Sequence, residues 1–285
     1  MMIKLSIVIP LFNKEKQILR TLDSVLGQSY TNFEVVVVND GSTDNSGILV
    51  ESIKDKRIRL LNKPNGGVSS ARNFGIKAAR NEWIVLLDAD DLLLQDALQM
   101  MVEMIEKYPK ERYFSGRTLW AGEKIRKDRI VYIRKTYMPF FFIWLGKIDP
   151  APRNVVIHRD LFERFGYYDE RQSFFEDWDV SIRLAQYGCM VYTNFYLAKY
   201  TPNENGLSQS SHPITKEMAY YIPEFGIVGF WYKALLFENL RMTMSLWEGH
   251  SEEYIYYKQV EQEYFDWRFR TLHWLHQKMK RWNIL

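Results

Sequence analysis

Short apolar runs alternate with amphipathic stretches along the first third of the chain. The runs lie at residues 5–9, 33–38, 58–61 and 83–87. Runs that are apolar almost throughout are typical of strands buried on both faces of a parallel sheet. A stretch between them has helical spacing at Ile18, Leu22 and Val25. The pattern predicts an α/β fold with a Rossmann-like, mostly parallel sheet flanked by helices.

Polar side chains and a proline follow the predicted strands. Right-handed crossovers place the carboxyl ends of parallel strands along one edge of the sheet. Pro10, Asp40 and Asp88 are therefore expected to converge there, although they are far apart in the sequence. In open α/β sheets this edge is where ligands bind.

The fourth predicted strand ends in three carboxylates, Asp88, Asp90 and Asp91. Negative charges this close together repel one another unless a positive charge offsets them. Carboxylate oxygens suit a hard divalent cation, so Mg²⁺ or Mn²⁺ carrying a diphosphate is the expected ligand. The alternative is that one aspartate caps the next helix while the others face water.

Two loops ahead of the acids add candidate contacts. Asp40 offers an acceptor to an imide N–H such as that of uracil, or it forms a plain Asx turn. Gly66 and Gly67 open a predicted helix, whose N-terminal amides suit an anion. Arg72 lies one turn further on, where it either reaches a diphosphate or is an exposed helix arginine. The loop matches neither a Walker loop nor a G-x-G-x-x-G dinucleotide motif.

The second half of the chain is less regular. Strands are expected at residues 113–118, 130–134, 155–157 and 190–193, and a helix is expected after the acidic pair Glu176 and Asp177. Two acids at a helix N-terminus stabilise its dipole, which is the alternative to a catalytic role for this pair. From about residue 215 the chain is helical and aromatic in pattern to its end.

The cysteine count, the net charge and the length of the apolar runs limit which compartment and which class of protein are expected. Cys189 is the single cysteine, which excludes an internal disulfide and a cysteine-based zinc site and fits a reducing compartment. The net charge of +3 does not indicate a nucleic-acid binder. The N-terminal residues are interpreted as a strand and not as a signal peptide. No apolar run reaches the roughly 18 residues of a spanning helix, so we expect a cytoplasmic protein.

Five motifs together resemble family-2 glycosyltransferases of the GT-A fold, in that family's order and roughly its spacing. The motifs are Ser6-Ile7-Val8-Ile9-Pro10-Leu11-Phe12-Asn13 and residues 39–44, 67–73, 87–91 and 175–179. The resemblance implies an inverting, nucleotide-sugar-dependent enzyme. We expect a GT-A catalytic domain at residues 1–212, with a nucleotide-binding half at 1–110 and an acceptor-side half at 111–212. A helical C-terminal extension at 213–285 would follow.

The resemblance also implies roles for individual residues. Those implied to bind the nucleotide are Pro10, Leu11, Phe12, Asn13, Asp40, Gly67, Arg72, Asp88 and Ala89. Asp90 would bind the Mn²⁺ or Mg²⁺ that bridges the diphosphate. Glu176 and Asp177 would be the catalytic acids, with Asp177 as the general base.

The chemistry of the reaction agrees with one base and one metal. A diphosphate leaving group needs no general acid if a divalent cation takes up its developing charge. An acceptor hydroxyl is a poor nucleophile and needs a base within hydrogen-bond reach. Together these imply a single in-line displacement with inversion at the anomeric carbon.

The chain departs from the family pattern downstream of the base. Family members often carry a histidine there that helps to hold the metal or the diphosphate, but Asn203 stands at the corresponding position. His212 lies slightly later and is the candidate substitute as a metal ligand. The alternative is an exposed loop histidine without a role.

The last 19 residues, 267–285, contain basic and aromatic residues and no acid. Leu272, Leu275, Met279 and Trp282 follow helical spacing. A basic amphipathic helix can lie on an anionic membrane, which would place the protein at the inner face of the plasma membrane. The alternative is that its apolar face packs on the domain or on a second subunit in a dimer.

The motifs favour transfer of a sugar from a UDP-sugar to a glycan or lipid-linked glycan in bacterial polysaccharide assembly. One rival is a phosphohydrolase with Asp88 as nucleophile and Asp90 as acid/base. It is disfavoured because Leu92 stands where such enzymes have Thr or Val. The other rival is a non-catalytic sugar-nucleotide or glycan-binding module, against which the intact Asp90 and Asp177 argue.

Overall fold

A computed structural model describes residues 2–125, 131–136, 154–171, 176–201 and 267–281 of the chain. The described elements, in chain order, are β1 (Leu5–Leu11), α1 (Ile18–Leu26), β2 (Phe33–Asp40), α2 (Ser46–Ser52), β3 (Ile58–Lys63), α3 (Gly67–Ala78), β4 (Trp83–Leu86), β5 (Leu92–Leu93), α4 (Ala97–Lys107), β6 (Tyr113–Leu119), β7 (Ile133–Thr136), β8 (Val155–His158), α5 (Arg159–Phe165), α6 (Glu176–Ala185), β9 (Met190–Lys199) and α7 (Trp267–Arg281). The chain divides into two compact units, and all of these elements except α7 belong to the first, residues 1–139 and 148–209.

The first unit is built on one mixed sheet with strand order β3-β2-β1-β4-β8-β6-β9-β5, and β7 pairs with β9 as well. The first four strands in this order are parallel to one another. Strand β8 runs antiparallel to both β4 and β6, and β6 is parallel to β9. Strands β4, β6 and β9 therefore point the same way. The predicted α/β fold with a mostly parallel, helix-flanked sheet is confirmed.

Strand β1 forms the centre of the core and buries all of its residues. On one face Ile7 and Ile9 pack with Ile18 of α1 in the main hydrophobic cluster. Full burial of each such side chain contributes about 1.5–3 kcal/mol. On the other face α3 approaches the sheet at Gly75, where a Cβ would lie 2.4 Å from the Cγ1 atom of Val8. This close packing fixes α3, and the residues it carries, against the carboxyl half of the sheet.

The second half of the sheet differs from the prediction in detail. The strand expected at residues 130–134 is Ile133–Thr136, and the one expected at 190–193 continues to Lys199. Strand β5, Leu92–Leu93, was not predicted because two residues are too few for a periodic pattern. It pairs with Ala198 and Lys199 at the end of β9. This pairing brings the segment after the acids against the carboxyl end of β9.

Helix α7 is the described part of the second unit. The helix predicted in this part of the tail is confirmed for Trp267–Arg281. Phe269 is buried, whereas Trp274 and Leu275 are exposed. No helix among the described residues is both long and apolar enough to cross a membrane. Contact with a membrane surface or a second subunit, and the domain bounds at residues 212 and 213, stay predictions.

Candidate active site

The ends of β1, β2 and β4 lie side by side. Pro10 pairs with Val38 across β1 and β2, and Val8 pairs with Leu86 across β1 and β4. The predicted convergence of Pro10, Asp40 and Asp88 at one edge is therefore confirmed. Pro10 and Leu11 are buried, whereas Phe12 and Asn13, which follow them, are exposed.

Asn13 joins the loop after β1 to the loop after β2. Its backbone has a φ of 50°, in the left-handed region that few side chains adopt. Its Oδ1 atom accepts a hydrogen bond from the Thr43 amide at 2.8 Å, and its own amide donates to Ser42 Oγ at 3.1 Å. These bonds fix the two loops on which the predicted uracil contacts lie.

Asp40 is buried and holds the start of α3. Its Oδ1 atom accepts from the Gly66 amide at 3.0 Å, and its Oδ2 atom accepts from the Gly67 amide at 2.8 Å. The Lys63 ammonium lies 2.5 Å from Oδ1. The expectation that the amides of this glycine loop stand ready for an anion is therefore wrong for Gly66 and Gly67. They satisfy Asp40 instead, because an ionised carboxylate buried without donors would be costly.

Two of the three acids after β4 form ion pairs with basic side chains. The Oδ1 atom of Asp88 lies 2.7 Å from the Arg72 guanidinium, and the Oδ2 atom of Asp90 lies 2.5 Å from the Lys14 ammonium. The backbone carbonyl of Asp90 also accepts from Arg20 at 3.2 Å. The positive charges that the crowded acids require are thus supplied by the chain itself, and the alternative in which these acids simply face water does not hold.

Asp91 has a structural role that the sequence did not indicate. It is buried, and its Oδ1 atom accepts from the Thr201 amide at 3.0 Å. The carbonyl of the buried Ala89 accepts from Thr21 Oγ1 at 2.9 Å. The segment of the acids is therefore tied on one side to α1 and on the other to the end of β9.

Arg72 lies at the centre of the site and connects its two halves. It is 4% exposed. One guanidinium nitrogen is bonded to Asp88, and the other lies 2.8 Å from Glu176 Oε1. Burial disfavours the charged guanidinium, but the charges of Asp88 and Glu176 outweigh it and hold the pKa of Arg72 well above its ordinary value. The alternative of an exposed helix arginine is excluded, while contact with a nucleotide stays a prediction.

Tyr168 and Asn73 are buried beside Arg72 and were not predicted as site residues. The Arg72 guanidinium lies 5.2 Å from the centre of the Tyr168 ring. Asn73 donates to the Tyr168 carbonyl and accepts from the Tyr168 amide, both at 2.9 Å. Burial raises the pKa of the Tyr168 phenol, and the nearby charge of Asp177 raises it further. Asp177 therefore belongs to the same electrostatic neighbourhood as Arg72.

The helix expected after Glu176 and Asp177 is present as α6, but it begins at Glu176, so both acids stand in its first turn, half-buried. Asp179, the third acid of this turn, forms an ion pair with Arg183 of the same helix, with 2.6 Å between Asp179 Oδ2 and the guanidinium. Arg183 also donates to the carbonyls of Phe165, Gly166 and Tyr167. This arginine clamps α6 to the loop after α5 and so fixes where the acidic pair stands. The assignment of Glu176 and Asp177 as catalytic residues stays a prediction.

An aromatic pair lies at the same edge, beyond the acids, with Trp120 exposed and Tyr200 half-buried. The Trp120 and Tyr200 rings, which follow β6 and β9, are 5.0 Å apart between centres. Trp120 is 48% exposed. A turn holds it in place, since its carbonyl accepts from the Glu123 amide and its amide donates to the Glu123 carboxylate. The signal available in the sequence was an aromatic residue, Trp120, two positions after the strand predicted at 113–118 and two positions before Gly122.

The candidate residues Asn203 and His212 lie outside the described residues, as does Phe175, the first residue of the motif at 175–179. Within the described ranges, no three His, Cys, Asp or Glu side chains are grouped as a ready metal site. Predicted metal binding by Asp90 and His212 thus stays a prediction.

Comparisons with known proteins point to one family. The model of "Glycosyl transferase family 2" matches residues 6–166. "Uncharacterized glycosyltransferase EpsJ" of Bacillus subtilis is 31% identical over 217 residues, 70% of this chain and 61% of that protein. "Glycosyltransferase GlyG" of Streptococcus pneumoniae is 34% identical over 106 residues, 36% of this chain and 35% of that protein. The chain thus spans less than two thirds of the length of these relatives.

Solved structures show the same fold. The crystal structure of S. aureus TarS 1–349 in complex with UDP-GlcNAc has a TM-score of 0.63 with 19% identity. The alignment covers 90% of this chain and 70% of that one. A second crystal structure of S. aureus TarS 1–349 gives a TM-score of 0.61 at 18% identity, covering 90% of this chain and 69% of that one. At such identity the likeness concerns the fold.

Proposed function

Because this chain belongs to glycosyl transferase family 2, we propose that it transfers a sugar from a UDP-sugar to an acceptor hydroxyl with inversion. The observation that supports this most is the bridge made by Arg72. It joins Asp88, at the end of β4, to Glu176, at the start of α6. The same buried cation thus ties the acids proposed to face the donor to those proposed to face the acceptor.

The donor would lie along the carboxyl ends of β1, β2 and β4. An ionised carboxylate has about four acceptor positions, and three donors among the described residues bond to Asp40. The fourth position would accept the imide N–H of uracil. Phe12 and Asn13 would flank the base, and Asp88 and Ala89 would lie beside the ribose.

The residues present fit a divalent cation that is shared with a diphosphate. Such a cation takes one or two carboxylates from the protein and its remaining ligands from phosphate and water. Asp90, with Asp88 next to it, offers this set of hard oxygen ligands, and both carboxylates are partly exposed. When bound there, Mn²⁺ or Mg²⁺ supplies charge that stabilises the leaving diphosphate. Asp90 would have to exchange its Lys14 partner for the cation.

Asp177 would carry out the proton transfer. Its carboxylate accepts the proton of the acceptor hydroxyl while that oxygen forms a bond to the anomeric carbon. The bond from this carbon to the diphosphate oxygen breaks, and its electron pair leaves with UDP. Glu176, held by Arg72, fixes the first turn of α6 and with it the position of Asp177.

Release of UDP from a panel of nucleotide-sugars tests the proposed activity. UDP-GlcNAc is the first donor to test, because S. aureus TarS, which shares the fold, was crystallised with it. We expect Mn²⁺-dependent release of UDP from one donor, abolished by EDTA and increased by a glycan or lipid-linked glycan acceptor. Release of inorganic phosphate from a simple phosphate ester would favour the phosphohydrolase. Stabilisation by the donor without any release would favour the binding module.

The acceptor is proposed to pass over the Trp120 and Tyr200 rings, because the C–H face of a pyranose packs well on an aromatic ring. Thr201, next to Tyr200, is bonded to Asp91, which places the ring pair beside the acids. The charged Arg117 and Glu123, 3.6 Å apart, flank the tryptophan and suit sugar hydroxyls.

Replacing Trp120 with alanine is therefore expected to raise the KM for the acceptor about tenfold or more, as loss of a buried aromatic contact does. The Kd for UDP and the rate of donor hydrolysis by water should stay unchanged. Tyr132→Ala is the matched control, since Tyr132 packs on Tyr192 near the opposite end of β9. An unchanged acceptor KM in Trp120→Ala would remove this surface from the acceptor path.

A further inference from the structure

The ion pair between Lys14 and Asp90 occupies the carboxylate proposed for the cation. The Lys14 ammonium lies 2.5 Å from Asp90 Oδ2, and the two side chains are 21% and 18% exposed. Lys14 stands in the loop between β1 and α1, and its amide donates to Ser46 Oγ at 2.8 Å. Its backbone is therefore fixed, while four flexible carbon–carbon bonds separate the backbone from the ammonium.

Lys14 and Arg72 pair with neighbouring acids in different ways. Arg72 is buried, and its planar guanidinium binds two carboxylates at once. Lys14 is partly exposed, and Asp90 is its one carboxylate partner among the described residues. A single ammonium on a flexible stem can change partner at little cost, whereas a doubly held, buried guanidinium cannot. Of the two, Lys14 is the cation suited to move during a reaction cycle.

A divalent cation and an ammonium cannot share Asp90 without strong repulsion. A cation entering alone would have to displace Lys14 and leave its charge without a partner. If a diphosphate enters together with the cation, its oxygens provide a new partner for the displaced ammonium. The free-energy cost of breaking the ion pair between Lys14 and Asp90 is then offset by a new ion pair between Lys14 and the diphosphate.

We infer that Lys14 is an internal counter-ion of Asp90 that yields this carboxylate to the divalent cation only when a nucleotide diphosphate receives its ammonium. This inference rests on the proposed function. It makes binding of the metal and binding of the nucleotide cooperative, with Lys14 as the residue that couples them. It also assigns a role to a residue in the first loop of the chain that no motif indicated.

The test measures binding of Mn²⁺, and no turnover is needed. The Kd of Mn²⁺ is determined from the electron paramagnetic resonance signal of the free ion, with and without saturating UDP. The proteins are the wild type, Lys14→Met and Lys16→Met. Lys16 is an exposed lysine of the same loop, so its replacement removes the same charge without touching Asp90. Lys14→Gln serves as a second variant, and thermal unfolding verifies that each protein is folded.

In the wild type, UDP is expected to tighten binding of Mn²⁺ by about 5- to 150-fold, the usual range of coupling between two sites. In Lys14→Met and Lys14→Gln, Mn²⁺ alone should bind about fivefold or more tightly than in the wild type, and the tightening by UDP should shrink by a similar factor. Lys16→Met should behave like the wild type. By linkage, Mn²⁺ must change the Kd of UDP by the same factor in each protein, which calorimetry verifies.

Two failures can be told apart. If wild type binds Mn²⁺ with UDP but Lys14→Met binds Mn²⁺ alone no more tightly, the inference about Lys14 is overturned and the proposed function stands. The same holds if Lys16→Met shows the same change as Lys14→Met. If the wild type binds neither UDP nor Mn²⁺ with UDP, or if Asp90→Asn still binds Mn²⁺ fully, the proposed donor site itself fails.

Discussion

Replacing Asp177 with asparagine is expected to lower the kcat of sugar transfer by about 10²- to 10⁴-fold, the usual contribution of a general base. An amide keeps the shape of the side chain but cannot accept the proton of the acceptor hydroxyl. The Kd for UDP with Mn²⁺ should change little, because Arg72 holds Asp88 and Lys14 holds Asp90. Acceptor-dependent release of UDP and calorimetry measure the two quantities.

Glu163→Gln is the matched control for this variant. Glu163 is an exposed acid on the neighbouring α5, so the same chemical change there should leave kcat unaltered. A normal kcat in Asp177→Asn would show that another group takes the proton. An equal loss of UDP binding and of kcat would mean instead that Asp177 positions the donor.

Replacing Arg72 with methionine is expected to destabilise the protein by about 3–5 kcal/mol, the cost of breaking a buried ion pair by removing one partner. The cause is that Asp88 and Glu176, whose side chains are 25% and 14% exposed, would lose the charge that both of them face. Urea unfolding at neutral pH measures the free energy of unfolding. The variant should also lose most of its activity, because Glu176 would no longer be tied to the segment after β4.

A double-mutant cycle separates this network from general loss of packing. In Arg72→Met combined with Glu176→Gln, part of the lost stability should return, since one unpaired charge is gone, with a coupling of about 0.5–3 kcal/mol. The control is Arg171→Met, which removes an exposed ion pair with Asp169 and should cost at most about 1 kcal/mol. Additive effects in the cycle would contradict the view that one guanidinium holds both acids.

The sequence was sufficient to predict which residues meet at the edge of the sheet. Buried parallel strands have a strong apolar pattern, and the direction of crossovers then places their ends together. These two rules alone are enough to predict that Pro10, Asp40 and Asp88 lie close together. The strand at residues 155–157 was predicted, but its antiparallel direction and its place between β4 and β6 were not, because a short apolar run has the same pattern whichever way it points.

The partners of the charged residues could not be predicted from the sequence. Arg72 and Glu176 are separated by 104 positions, and Asp91 and Thr201 by 110. No local pattern specifies such pairs, because they depend on how α3, α6 and β9 pack against one another. For the same reason the sequence did not indicate that Lys14 pairs with Asp90, which lies 76 positions later.

The bonds that Asp40 makes affect how substitutions at this position should be interpreted. A motif comparison would choose Asp40 as the obvious probe of base recognition. Yet its carboxylate also joins β2, Lys63 and the amides of Gly66 and Gly67. A variant at this position that fails to bind UDP would therefore combine a lost contact to the base with a rearranged glycine loop. Phe12, which is 44% exposed at the end of β1, is a better reporter of the base, because its side chain can be shortened without disturbing that junction.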